Sequence, residues 1–225
     1  MPTLPQDPRD IWVTAVPPED SARAHKHRLV RHVKRAAENV ALLDLAGCPL
    51  DTLAALTERM GDLADDLGVL PSLRAKGGPA LAGGDDAALM ERSGISGRSN
   101  PIAPPMAMWA EGDLTRGRAF YTAIYEGPPG CLHGGFVAAA FDDLLGYAQI
   151  ASGRAGYTGT LTVRMRKPTP LYQNIDYDAS VDRVEGRKIF VTGRSWCGPD
   201  LLADCEIVFI QPRTGSPMEG PFTPA

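Results

Sequence analysis

Two adjacent carboxylates, Asp142 and Asp143, stand inside an apolar run, GGFVAAAFDDLLGYAQIA, that follows the loop GPPGCLH at 127–133. The run reads as a helix from about Gly134 to Ala151. An apolar helix holds a carboxylate only where it is paired, hydrogen-bonded or facing a cavity. Neighbouring residues point about 100° apart, so at least one of the two aspartates faces something other than bulk water. A carboxylate so placed can act as a general base. Gly134 and Gly135 fall at the helix start, where backbone N–H groups lack internal partners and the dipole favours negative charge. Glycine there lets a ligand reach the backbone, and a polarised carbonyl oxygen fits the place as it fits an oxyanion hole. On spacing alone, a tight entry turn is the plainer explanation of the pair.

The spacing adds a constraint. Eight residues separate Gly134 from Asp142, about 12 Å at 1.5 Å per residue. A base acting through one water must sit within a few ångströms of the reacting carbon. One helix cannot bring both groups to one carbonyl, but two copies lying antiparallel across a two-fold axis can. A site built from these groups is shared between subunits and requires a dimer.

The elements around them follow from periodicity. Residues 1–20 are proline-rich and read as irregular. Leu29, Val33, Ala37, Val40 and Asp44 step at helical spacing between Ser21 and Leu45, and Gly47 and Pro49 end that helix. Asp51 is a candidate cap for a second helix to Leu67, with Leu53, Leu56, Met60, Leu63 and Leu67 on one stripe. Residues 76–100 are glycine- and serine-rich, the texture of a linker. After Pro101 come two short strand-like runs, the loop and helix, and four more strands at 157–166, 174–184, 187–197 and 201–211. Leu161, Val163 and Met165 alternate with polar residues, the mark of a sheet covered on one face. One apolar helix among six mostly antiparallel strands implies an α+β fold, a curved sheet wrapped around that helix.

The chain has 225 residues, 44% hydrophobic and 22% charged, with 23 basic against 27 acidic residues and a net charge of -4. No global field therefore recruits nucleic acid or anionic lipid. The four scattered cysteines read as free thiols in a reducing compartment. No apolar run approaches the roughly 20 residues of a membrane span, and the start lacks the features of a cleaved signal. A cytoplasmic location is the expectation.

The stretch GPPGCLHGGFVAAAFDDLLG resembles the signature of hotdog-fold acyl-CoA thioesterases, particularly the phenylacetate-pathway and THEM-type groups. There His-Gly-Gly is followed by an acidic residue nine positions after the histidine, here His133 and Asp142. YTGTLTVRMRKPTPL resembles the downstream segment that opens with a threonine and ends in a basic–proline turn. The resemblance covers 101–213. It implies a hotdog domain there, preceded by an N-terminal helical extension (1–75) and a linker (76–100) and followed by a tail (214–225). It further implies a homodimer, with a tetramer left open, and hydrolysis of an acyl-CoA thioester with no metal and no cofactor beyond the substrate's own coenzyme A.

Carried over by position, Asp142 is the general base, with a nucleophilic role as the alternative. Gly134 supplies the polarising N–H, with Gly135 assisting. His133 orients the loop or touches the thioester oxygen, and Thr158 positions water. Asp143 departs from the small or hydroxyl residue often found at its place. Arg164, Arg166 and Lys167 are candidates for the coenzyme A phosphates, since guanidinium groups grip phosphate bidentately; a solvated strand face is the plain alternative. Met106, Met108, Trp109 and Phe120 either line an acyl tunnel or belong to the core. A competing reading is an acyl-CoA-sensing regulator that uses the basic run RAHKHRLVRHVKR at 23–35 to bind DNA or a partner. A hotdog dehydratase would need a histidine base, and His133 is the one histidine in the second half.

Overall fold

The computed structural model describes residues 19–72 and 91–213. The expectations for the proline-rich start, for most of the linker and for the C-terminal tail fall outside the described residues. The element order is α1 (Ala22–Ala41), α2 (Leu50–Gly68), β1 (Met106–Glu111), β2 (Leu114–Phe120), a 3-10 turn at Ala123–Tyr125, α3 (Gly134–Ala151), β3 (Tyr157–Met165), β4 (Asn174–Glu185), β5 (Lys188–Cys197) and β6 (Asp200–Ile210). The six strands form one sheet in the order β1-β2-β4-β5-β6-β3, every pairing antiparallel. The four strands expected after the central helix are all present within a residue or two.

Helix α3 lies on the covered face of this sheet. It is apolar on nearly every side because it is buried on several: Val137, Ala140, Phe141, Leu144, Leu145 and Ala148 are inside. Alternate residues of the strands meet it, among them Ile175, Tyr177, Ile189, Val191, Ile207 and Phe209. Each fully buried side chain of this size contributes about 1.5–3 kcal/mol. Gly193 makes the approach possible, since a Cβ there would lie 2.6 Å from Leu145 Cδ1 and 2.9 Å from the Asp178 carbonyl oxygen. Met106 and Met108 are wholly buried in this core. They belong to packing and not to an acyl tunnel.

The N-terminal helices differ from expectation in informative ways. α1 buries Ala24, His27, Val30 and Lys34, not the stripe from Leu29 to Asp44. Periodicity counts His27 and Lys34 as polar, but both find partners inside. Lys34 Nζ donates to the Ala103 carbonyl at 2.5 Å, and His27 Nε2 lies 3.3 Å from a Glu91 carboxylate oxygen. α2 begins at Leu50 after Pro49, so Asp51 sits within the first turn and does not cap it. Residues 91–100, expected as the end of a linker, are packed instead. Ser96, Gly97, Arg98 and Ser99 are buried, and Glu91 receives Ser99 Oγ at 3.0 Å and Arg23 Nε at 3.0 Å.

Candidate active site on the open sheet edge

β3 is an edge strand, bonded to β6 on one side and unpaired on the other among the described residues. Its inward residues Leu161, Val163 and Met165 pair opposite Ile207, Cys205 and Ala203 of β6. Strict alternation would then turn Thr158 outward. It does not, because the register shifts between Thr158 and Thr160, which pair with the consecutive residues Phe209 and Val208. One extra residue in a strand flips the faces of everything beyond it. Gly159 is the inserted residue, and a Cβ on it would meet Ile210 Cγ1 at 2.9 Å and the Val208 carbonyl oxygen at 3.2 Å. The bulge therefore turns Thr158 onto the helix side, where its Oγ1 donates to Asp142 Oδ1 at 2.8 Å.

At the other end of the strand, Met165 covers Gly134: a Cβ on that glycine would lie 3.2 Å from Met165 Cε. β3 thus runs antiparallel to α3, with Thr158 beside Asp142 and Met165 beside Gly134. All four residues follow the open edge of the sheet. Asp142 and Gly134 of one chain are two turns apart on α3, as the sequence spacing requires.

The loop before α3 is firmly built. The Glu126 carboxylate accepts the Gly130 N–H at 2.6 Å, and the Gly127 N–H donates to the Cys131 carbonyl at 2.8 Å. The Leu132 N–H donates to Thr169, and the His133 N–H to Tyr125. His133 is the N-cap of α3, its Nδ1 accepting the Gly135 N–H at 3.0 Å. The imidazole then carries its proton on Nε2 when neutral. This bond occupies the Gly135 donor. Among the described residues no acceptor takes the Gly134 N–H, so of the two glycines Gly134 offers the free amide at a helix N-terminus.

Asp143 turns the other way. Its Oδ2 accepts Ser93 Oγ at 2.7 Å and also Ser96 Oγ. Burial pushes its pKa up; the two serine hydroxyls oppose that shift, and the neighbouring charge of Asp142 adds to it. The two aspartates are therefore divided between an open face and a clasp. Sequence reading missed Ser93 and Ser96, which come from the glycine- and serine-rich stretch some fifty residues earlier. Cys205 lies close enough to feel the Asp142 charge, but burial is the main cause that raises its thiol pKa to about 12. It is a packed thiol, not a nucleophile.

The clasp carries a prediction. The folded pKa of Asp143 lies above its ordinary value of 3.8, so the folded state takes up a proton more readily than the unfolded chain. Its charge then costs stability as pH rises from the ordinary value through the raised folded value. Asp143→Asn, which keeps an acceptor and loses the charge, should leave the melting temperature at pH 7 unchanged or higher. Asp143→Leu leaves two hydroxyls without their acceptor and should cost about 1–3 kcal/mol. Thermal melts of both variants check this; an equal loss in both would contradict it.

Of the three basic candidates, Arg164 lies on the outer face of β3, and Arg166 and Lys167 follow its end. Arg166 Nε pairs with Asp204, and Lys167 Nζ with Asp200 at 2.5 Å. Arg164, on the outer face opposite Asp204, lines a groove with Arg194 and Asp178. The structure does not bring these three side chains to the Asp142–Thr158 pair. All four cysteines are free, and no helix of the described residues is long and apolar enough to cross a membrane.

No family model matches the chain. Over 67 residues, 30% of its length, it is 37% identical to the acyl-coenzyme A thioesterase THEM4 of Xenopus laevis and 30% identical to the acyl-coenzyme A thioesterase THEM5 of Homo sapiens. The matched stretch spans only 30% and 27% of those relatives. A crystal structure of a thioesterase superfamily protein is similar over 86% of this chain and 97% of its own, with 27% identity and a TM-score of 0.74. That coverage reaches well beyond 101–213, so the likeness takes in part of the N-terminal extension. The antiparallel sheet wrapped on α3 and the near-complete structural likeness give this chain a hotdog fold, similar as a whole to a thioesterase superfamily protein and locally to THEM-type acyl-coenzyme A thioesterases.

Proposed function

We propose that the protein hydrolyses an acyl-CoA thioester to the free acid and coenzyme A, in a homodimer that joins through the open edges of β3. Asp142 acts as general base: its free carboxylate oxygen takes a proton from water as that water attacks the thioester carbonyl. Thr158 holds the other oxygen and fixes the direction of the base. The Gly134 N–H of the opposing chain stabilises the oxyanion, and the C–S bond then breaks to release the coenzyme A thiolate, which takes up a proton. His133 holds the loop so that the Gly134 amide stays aimed outward. The single observation that carries this reading is the Thr158–Asp142 hydrogen bond, which exists because a bulge turns the threonine toward the helix.

The edge strand supports the dimer. A nine-residue strand with one edge unpaired among the described residues, and with Tyr157 and Met165 about half exposed, is a surface that proteins ordinarily cover. The sensor reading is less favoured, because the basic run of α1 is partly spent inside the fold on Glu91 and Ala103. Purified protein mixed with an acyl-CoA and a thiol-trapping dye tests the proposal. Release of free thiol supports hydrolysis, and binding without release supports a sensor. Arg166 and Lys167 hold exposed ion pairs worth at most about 1 kcal/mol each, so a phosphate can displace them. Arg166→Ala with Lys167→Ala should raise KM about three- to tenfold with kcat unchanged. Steady-state kinetics with coenzyme A and with a truncated pantetheine thioester check it, the shorter substrate showing no change.

A further inference from the structure

Helix α2 buries none of its 19 residues. An isolated helix of this length is marginal in water and is normally held by packing of its apolar face. That face is open here: Leu56, Met60, Leu63 and Leu67 are 50%, 45%, 40% and 36% exposed. With Leu53, and with Leu70 two residues past the end of the helix, they step alternately by three and four, the spacing of a coiled-coil seam. Ala36 and Val40 of α1, with Leu43 just past its end, flank the seam, and these segments line an open groove of about 880 Å³.

We propose that α2 of a second copy of this chain fills the groove, running antiparallel to the first. An antiparallel seam sets each first position of the repeat against the other apolar position of its partner. Met60 then meets the partner's Leu63, Leu56 the partner's Leu67, and Leu53 the partner's Leu70, each twice by symmetry. The same register brings Arg59 against the partner's Asp66 on both sides. Arg59 is the one basic residue of α2, and neither it nor Asp66 forms an ion pair among the described residues. A parallel pairing would set Arg59 against alanine. On the other flank Thr57 and Ala64 are small and allow close approach.

Cross-linking tests this without reference to activity. Chains carrying Met60→Cys are mixed with chains carrying Leu63→Cys and treated with a short bis-maleimide. The controls are wild type, for the native cysteines, and Glu58→Cys, on the opposite face of α2. A covalent dimer well above both controls is expected. In the same assay Arg59→Asp should lower the apparent association constant about tenfold, since two attractive pairs become repulsive. Arg59→Asp combined with Asp66→Arg should restore it. Cross-linking no greater than in Glu58→Cys would overturn the proposal and leave the groove to another occupant. Cross-linking without rescue by the charge swap would overturn the antiparallel register.

Discussion

Asp142→Asn is expected to lower kcat for acyl-CoA hydrolysis by about 10²-fold or more, the usual scale for loss of a positioned base, while KM and melting temperature stay close to wild type. The substitution is nearly isosteric. Its amide oxygen still accepts from Thr158, so geometry is retained and basicity alone is lost. Asp142 is partly exposed and anchors no packing, which separates a chemical loss from a structural one. Thr158→Val keeps the base but frees its direction, and one hydrogen bond of about 0.5–1.5 kcal/mol corresponds to a roughly three- to tenfold fall in kcat. Thr158→Ser should recover most of it. Stopped-flow or steady-state thiol release on the three variants measures both effects. Full turnover in Asp142→Asn would remove Asp142 as the base.

The second large effect concerns a backbone atom. Gly134 is the first residue of α3, and His133 before it is extended, with φ -62° and ψ 134°. Proline is well tolerated at a first helical position, where its missing N–H had no helical partner, and the residue before it prefers this extended conformation. Gly134→Pro therefore deletes the proposed oxyanion donor with little disturbance to the helix. What it adds presses on Met165 Cε, the end of a flexible side chain. Removal of one such donor costs about 10²–10³ in kcat. Gly134→Ala adds the same first carbon but keeps the N–H, and should remain within about tenfold of wild type. If the two variants lose activity equally, crowding is the cause and the amide has no role.

The fold was readable because its strands alternate cleanly and its central helix does not. Leu161, Val163 and Met165 mark the covered face of β3, and the apolar run on all sides of α3 announces burial by a wrapped sheet. The loop before α3 and the place of Asp142 in an apolar helix were readable from residue type and spacing. Other features depended on partners distant in sequence. Nothing local distinguishes Ser93 and Ser96 from linker serines, because their acceptor is Asp143, about fifty residues on. The buried face of α1 was misjudged because His27 and Lys34 look like surface residues until Glu91 and Ala103 are in place. Strict alternation would have turned Thr158 outward. Only the bulge at Gly159, which is visible as a register shift, explains how it reaches Asp142.

The central claim is that one catalytic centre takes its base from one chain and its amide from another. Asp142→Asn and Gly134→Pro proteins, each reduced about 10²-fold on its own, can be unfolded together, refolded as a mixture and assayed. Half of the resulting dimers are mixed, and each mixed dimer holds one centre with both groups intact. Activity should return to about a quarter of wild type, more than tenfold above either parent. A mixture no more active than the mean of its parents would contradict a shared centre.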